Sequence, residues 1–427
     1  MASTNRETKR SGAKLWGVAT GALAFVTAAA VAVTVATGDG ATPAPTASSP
    51  VSNAPKDAAS RGRVTGGVPV GYPRTADGAK AAAANYTIVR GSSIFLTNAK
   101  ARHRAVEAMT SRDAASTATK EVDQSSKQAA SGLRGDNIKL SPKEIIARTG
   151  VLSARTLAFD IHKATVRLWT TTVRGNAAGH ATPKAAFRSV TVALVWEHDD
   201  WKLSNSSDTS GLLAPIDVRQ AVNVTSDFAD YVPGKAADAI LSGTTGADGF
   251  PAPYERTEQG ARAAATSAVT LWGDPRFFVS GDWRHGMLRD TVAPDALNTL
   301  TSDAESTAQL VSENRGLGED GRTADGGLLV TRTATLATRA VAYSDQAASI
   351  ELWTASVGGV AGKDETQRPQ VAFLRMTVDL IWTGGSWKTA AVTPSEPLVP
   401  SPPATEQASS ASSFVDVGGV SDAPPTA

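Results

Sequence analysis

Two stretches of strict alternation, each ending in a tryptophan, organise this chain. In the first, Arg188, Val190, Val192, Leu194 and Trp196 alternate with Phe187, Ser189, Thr191, Ala193 and Val195. In the second, Leu374, Met376, Val378, Leu380 and Trp382 alternate in the same way. Period-two patterning of that length predicts a β-strand. A four-residue polar turn follows each, Glu197-His198-Asp199-Asp200 or Thr383-Gly384-Gly385-Ser386, and then a returning Trp-Lys, Trp201-Lys202 or Trp387-Lys388. Each stretch therefore predicts a hairpin with its two tryptophans packed across the strands. An earlier strand is expected over Thr165 to Val173 and again over Ser349 to Val357, each carrying Leu-Trp-Thr. Ahead of the strands the pattern is helical. Thr75 precedes Gly78-Ala79-Lys80-Ala81-Ala82-Ala83-Ala84, and Thr257 precedes Gly260-Ala261-Arg262-Ala263-Ala264-Ala265. Threonine is a good N-cap and alanine the best helix former. Polar helical sequence continues over Arg102 to Leu133 and over Asp295 to Glu313.

These pairs belong to one duplication. Gly67-Val68-Pro69-Val70-Gly71-Tyr72-Pro73-Arg74-Thr75 returns as Gly249-Phe250-Pro251-Ala252-Pro253-Tyr254-Glu255-Arg256-Thr257. Arg102-His103 returns as Arg284-His285, and Asp113-Ala114 as Asp295-Ala296, all at an offset of 182. Leu168-Trp169-Thr170 matches Leu352-Trp353-Thr354 at 184, and Trp196 and Trp201 match Trp382 and Trp387 at 186. So slow a drift marks a duplicated domain with small loop insertions. The expected units are 67–212 and 249–398, joined by 213–248, and each is long enough to hold its own core. Helices followed by an antiparallel meander give an α+β domain with helices on one face of a curved sheet.

The termini read differently. Residues 1–14 carry Arg6, Lys9, Arg10 and Lys14 against Glu7, and Leu15 to Thr37 is an uncharged run of 23 residues. As a helix that run is about 34 Å long, enough for a hydrocarbon core of about 30 Å. It is longer than a signal-peptide core and lacks a clean Ala-x-Ala site, so an uncleaved anchor is expected, with a cleaved signal as the alternative. The flanking charges place the N-terminus in the cytoplasm and the rest outside. Residues 38–66 and 399–427, rich in Pro, Ala, Ser and Thr, read as a disordered stalk and tail. Within the connection, Ile216 to Tyr231 has the spacing of a short helix.

Composition narrows the chemistry. A formal charge of +1 and a pI of about 7.9 give no electrostatic pull toward nucleic acid. The absence of cysteine excludes disulfides, thiolate metal sites and a cysteine nucleophile.

Helices followed by long strands that end in Trp-turn-Trp-Lys resemble the cone-shaped fold of nuclear-transport-factor-like and cystatin-like domains. With the basic N-terminus, membrane segment, linker and tandem copies, the chain resembles the TcpC-type conjugation proteins of Gram-positive bacteria. Those in turn are similar to the periplasmic scaffold subunit of type IV secretion systems. The Gly-x-Pro-x-x-Tyr-x-Arg-Thr opening resembles a motif of actinobacterial exported proteins. The resemblance implies a single-pass envelope protein, extracellular beyond its anchor, that docks membrane and envelope proteins of the same assembly, self-associates, and uses no cofactor, metal or catalytic residue. The alternative is an exported ligand-binding protein or enzyme that uses one cone as a pocket.

Several residues carry a sharper and a blander reading. His103 and His285, each preceded by arginine, suggest bases beside an anion site, but a structural clasp in each domain explains their repetition better. Asp160, His162, Tyr343 and Asp345 stand where strands begin and would line a cone used for acid–base work, if they are not solvated edge residues. His198-Asp199-Asp200 has metal-ligand chemistry, but its partner turn is Thr-Gly-Gly-Ser, so a hairpin tip accounts for it. The tryptophans are expected in the core, with sugar stacking as the lesser alternative. No phosphate loop, Gly-x-Ser-x-Gly elbow or His-Glu-x-x-His is present.

Overall fold

Thr75 and Thr257 each start a helix. Their hydroxyls accept from the amides of Gly78 and Gly260 at 3.0 Å, pairing N–H groups that a first helical turn leaves free. The computed structural model describes residues 63–134, 142–177, 183–210, 213–217, 253–394 and 407–417. In the first repeat four helices, α1 (Ala76–Arg90), α2 (Ser93–Thr97), α3 (Ala99–Met109) and α4 (Arg112–Arg134), precede four long strands. These are β3 (Ile145–Phe159), β4 (Lys163–Asn176), β5 (Lys184–Glu197) and β6 (Asp200–Ser210), paired antiparallel in sequence order. The second repeat has the same plan: α5 (Glu258–Trp272), α6 (Pro275–Val279), α7 (Gly281–Thr291) and α8 (Leu297–Arg315), then β8 (Leu328–Tyr343), β9 (Ala347–Ala361), β10 (Gln370–Thr383) and β11 (Ser386–Pro394). The expected α+β architecture of helices on antiparallel sheets is what the chain adopts.

Alternation along the strands decides what each face covers. On one face of the first sheet, Val166, Leu168, Val192 and Leu194 pack under the helices with Ala79 and Ala81 to Ala84. Alanines on the covering face of α1 let that helix lie close to the sheet. The opposite face carries Ile146, Leu152, Trp169, Val173 and Phe187, and it packs against Val330, Leu336, Trp353, Val357 and Phe373 of the second repeat. The two sheets are thus joined back to back through a shared core, with Trp169 and Trp353 at equivalent places in it. Both tryptophans are in the core, as expected, on the face that points away from the helices, so neither plugs a cone. Gly150 marks a close approach. A Cβ there would stand 2.9 Å from the Ala334 Cβ and 3.1 Å from the Thr335 carbonyl, so only glycine lets β3 come this near β8.

The hairpins form as the alternation predicts, with a shorter turn. Trp196 pairs with Trp201 and Trp382 with Trp387, and ring centroids lie 5.3 and 5.5 Å apart at 76°. The loop proper is two residues, His198-Asp199 or Gly384-Gly385, all with positive φ. That is the turn whose twist matches paired strands.

Three expectations for the connecting segments are corrected. The last residues of the stalk are ordered: β1 (Arg63–Thr65) pairs with β2 (Val68–Val70). Ile216 does not begin a helix. It forms β7 (Ile216–Asp217), which pairs in parallel with Gln370 and Val371 of β10, while most of 216–231 lies outside the described residues. The tail is not disordered throughout, because Ala411–Val417 forms a 3-10 helix and Phe414 is fully buried in the shared core. Its ring lies 5.7 Å from Trp169. Ser409 and Ala214 bond in both directions, at 2.8 and 3.0 Å, and Trp169 Nε1 donates to Leu213 O at 3.0 Å. The tail is held because it covers apolar surface that the two sheets leave open. The segment 15–37, expected to span a membrane, lies outside the described residues. Among the described residues no helix is long and apolar enough to cross one.

Candidate functional site

The repeated Gly-x-Pro-x-x-Tyr-x-Arg-Thr motif is a clasp between the start of the first long helix and the Trp-Lys hairpin. Trp201 Nε1 donates to Pro73 O at 3.0 Å, and Trp387 Nε1 donates to Glu255 O at 2.9 Å. A Cβ on Gly78 or Gly260 would fall 2.0 Å from those same carbonyl oxygens, which explains the glycine three residues after each threonine. Arg74 lies over Trp196 at 5.1 Å and donates to Ile161 O at 2.5 Å. Arg256 lies over Trp382 at 5.5 Å and donates to Asp345 O at 2.7 Å. Each arginine thus ties one hairpin tip to the other. Tyr72 and Tyr254 are buried, and burial pushes both phenols well above their ordinary pKa. The lysines cap helix ends: Lys202 Nζ donates to Ala108 O at 2.6 Å, and Lys388 Nζ donates to Asp290 O. A cation is favourable at that end of a helix dipole.

The histidine–arginine pairs form a second clasp, between α3 and α4 and between α7 and α8. Arg102 is 4% exposed, with Nη2 at 2.6 Å from Asp123 Oδ1 and Nη1 donating to Phe95 O at 2.8 Å. His103 Nε2 lies 2.9 Å from the other oxygen of Asp123. The hydrogen bond from His103, and then that from Arg102, hold the Asp123 carboxyl below the usual carboxylate range. In the second repeat Arg284 donates to Phe277 O at 2.7 Å, and His285 Nε2 lies 2.7 Å from Glu305 Oε1. Both histidines therefore hold helix pairs together.

Asp160, His162, Tyr343 and Asp345 are not gathered into a pocket. Asp160 caps the turn between β3 and β4, accepting from the amides of His162 and Lys163 at 2.7 and 2.8 Å, and these bonds lower its pKa. Ser344 takes that place in the second repeat, accepting from Ala347 N at 3.1 Å. His162 Nδ1 lies 2.9 Å from Arg74 Nη2. Tyr343 leans on Trp387 at 6.0 Å, as Phe159 leans on Trp201 at 5.8 Å. Asp200 accepts from Tyr72 N at 3.1 Å and pairs with Lys202 at 3.1 Å, while Arg112 Nη2 lies 3.2 Å from His198 Nε2. Among the described residues no group of His, Asp and Glu could hold a metal. Trp169, Trp201, Trp353 and Trp387 are fully buried, so none of the four is free to stack on a sugar.

The pattern also hid a shared exposed surface. Leu157, Phe159 and Ile161 at the end of β3, and Val341 and Tyr343 at the end of β8, are all exposed, Ile161 at 55% and Val341 at 61%. Leu157 and Phe159 of one repeat correspond to Val341 and Tyr343 of the other. The alternation was visible in sequence, but nothing in it showed that both faces of the strand end are open there.

No family model and no curated protein matches the chain. One solved structure, described as an Ntf2-like protein involved in plasmid conjugation, matches 74% of this chain and 97% of its own at 9% identity, with a TM-score of 0.18. At that TM-score the likeness leaves the fold to be argued from this chain's own elements.

Proposed function

We propose that this chain is a non-catalytic docking scaffold, held on the outer side of the membrane by residues 15–37, in an assembly of the conjugation or type IV secretion kind. The observation that supports it is the exposed apolar hairpin end carried by each repeat. Apolar side chains clustered at the surface mark interaction sites more often than isolated ones do. Two equivalent ends on one fused body offer two attachment points, and anchoring raises their effective concentration for neighbouring envelope proteins or further copies of the chain. His103, His162, His285 and Asp160, weighed above for catalysis, each have a hydrogen-bond partner within the fold.

The test is the phenotype of a gene deletion, DNA transfer in the first instance, complemented with variants. Ile161→Lys with Val341→Lys is expected to cut transfer at least tenfold at unchanged protein level, and deletion of 15–37 to abolish it. Replacing His103, His162 and His285 together by glutamine is expected to leave transfer intact, since glutamine keeps hydrogen-bonding capacity without a titrating group. Loss of transfer in a stably folded, correctly localised triple variant would overturn the reading in favour of a histidine-dependent site.

A further inference from the structure

The two cones are not chemically equivalent. Under α1 and α4 of the first repeat lies a cavity of about 330 Å³ whose lining includes Arg90, Arg174 and Arg188, with Asp208 as the acidic lining residue. Hydroxyls of Thr87, Thr149, Thr170, Thr172, Ser206 and Ser207 make up much of the remaining wall. Arg188 Nη1 lies 2.5 Å from Asp208 Oδ2, and Arg90 Nη1 donates to Ser206 Oγ. Glu121 acts on Arg90 without lining the cavity. Burial lowers the pKa of Arg90 and of Arg174, and Arg188 adds repulsion on Arg174. Arginine remains charged regardless, so the cavity keeps three cations, of which Arg90 is half-buried while Arg174 and Arg188 reach solvent.

The second repeat shows what the fold alone requires. The register of β9 with β10 puts Gly358 where the first repeat has Arg174 and Leu374 where it has Arg188. The register of β10 with β11 puts Val392 at the place of Ser206 and Pro394 at that of Asp208. Arg90, the last residue of α1, corresponds to Trp272, the last residue of α5, which stacks on Phe277 at 5.2 Å. At these five places the second copy carries no charge, and it folds. The other keeps three like charges facing one cavity, which costs stability unless something offsets their repulsion and desolvation.

We propose that the first cone binds a small phosphate-class anion. Three guanidiniums against one lining carboxylate leave an excess of positive charge suited to a phosphate group, which carries about −1.5 to −2 near pH 7. Guanidinium forks and hydroxyl donors are the groups that recognise it, and the cavity is at the small end of ligand sites. The inference rests on the cavity's own chemistry and holds whether or not the chain is a scaffold.

The experiment is titration of the purified full-length chain by calorimetry at constant ionic strength. The probes are inorganic phosphate, glycerol 3-phosphate and citrate, and vesicles of an anionic phospholipid are tested separately by flotation. Saturable binding of either soluble phosphate, or vesicle capture, is expected, with at least a tenfold loss in Arg174→Gly/Arg188→Leu. Those replacements are the second repeat's own residues. Arg174→Gln, which keeps side-chain bulk at the strand surface, serves if the double variant does not fold. Soluble binding without capture identifies a free phosphate or phosphate ester as the source, and capture that exceeds that on neutral phosphatidylcholine vesicles and is lost in the arginine variants identifies a lipid headgroup. Equal binding of citrate, the same affinity in the variants, or no binding beyond a chloride control would overturn the proposal.

Discussion

At the residue scale, Asp123 shows how one side chain holds two helices. It accepts from Arg102 and lies within hydrogen-bond distance of His103, and its pKa is depressed by both. A carboxyl with a lower pKa in the folded than in the unfolded chain stabilises the fold above the unfolded value of about 3.9 and loses that contribution as pH falls through the folded value. Asp123→Asn is therefore expected to lower the urea midpoint at pH 6, and the gap to the parent chain should narrow below about pH 4. A gap that stays constant down to pH 3 would show that the carboxylate charge is not what holds the clasp. The buried Arg148 and Arg332 share the inter-repeat face by strand alternation. Neither was legible in sequence, because alternation assigns a residue to a face without saying what that face will meet.

At the scale of the element, the repeated motif acts as a unit. Trp201 and Trp387 each fill the space between the hairpin and the first long helix and donate to a carbonyl just ahead of it. Truncating a buried tryptophan costs about 3–5 kcal/mol. Trp201→Ala and Trp387→Ala are each expected to lower the denaturation midpoint of the full chain strongly, as followed by circular dichroism. A midpoint within about a degree of the parent would mean that the indole is not an anchor. Hairpins, helix starts and the α+β plan were legible because each depends on local periodicity and caps. The meeting of Trp169 and Trp353 in one shared core was not, since the sequence marks both as repeated tryptophans but does not say which sheet face they occupy. The cone arginines were hidden for a related reason: Arg90, Arg174 and Arg188 converge only once helix and sheet are assembled.

For the whole molecule, the shared core makes the two repeats one stability unit rather than two independent beads. Gly150 sits in a filled contact of that core. Gly150→Val adds atoms to a filled contact, a change that typically costs about 1–3 kcal/mol. Hydrogen exchange should then quicken along Ile146–Leu152 and Val330–Leu336, while the helices α3 and α4 keep their protection. Uniform quickening across both repeats would show that the contact is not local to β3 and β8.

The buried tail residue Phe414 also has a consequence in time. Ala214 and Ser409 bond although they are 195 residues apart in the chain. At about 5–20 residues per second of synthesis, the first repeat waits on the order of ten seconds or more before its last covering piece exists. For most of that interval the Trp169 face lacks its partner sheet, and for all of it the face lacks the Phe414 plug. That apolar face stays open to non-native contacts until Phe414 is made. Stop codons placed ahead of Phe414 leave a finished fold with a permanently unfinished seam.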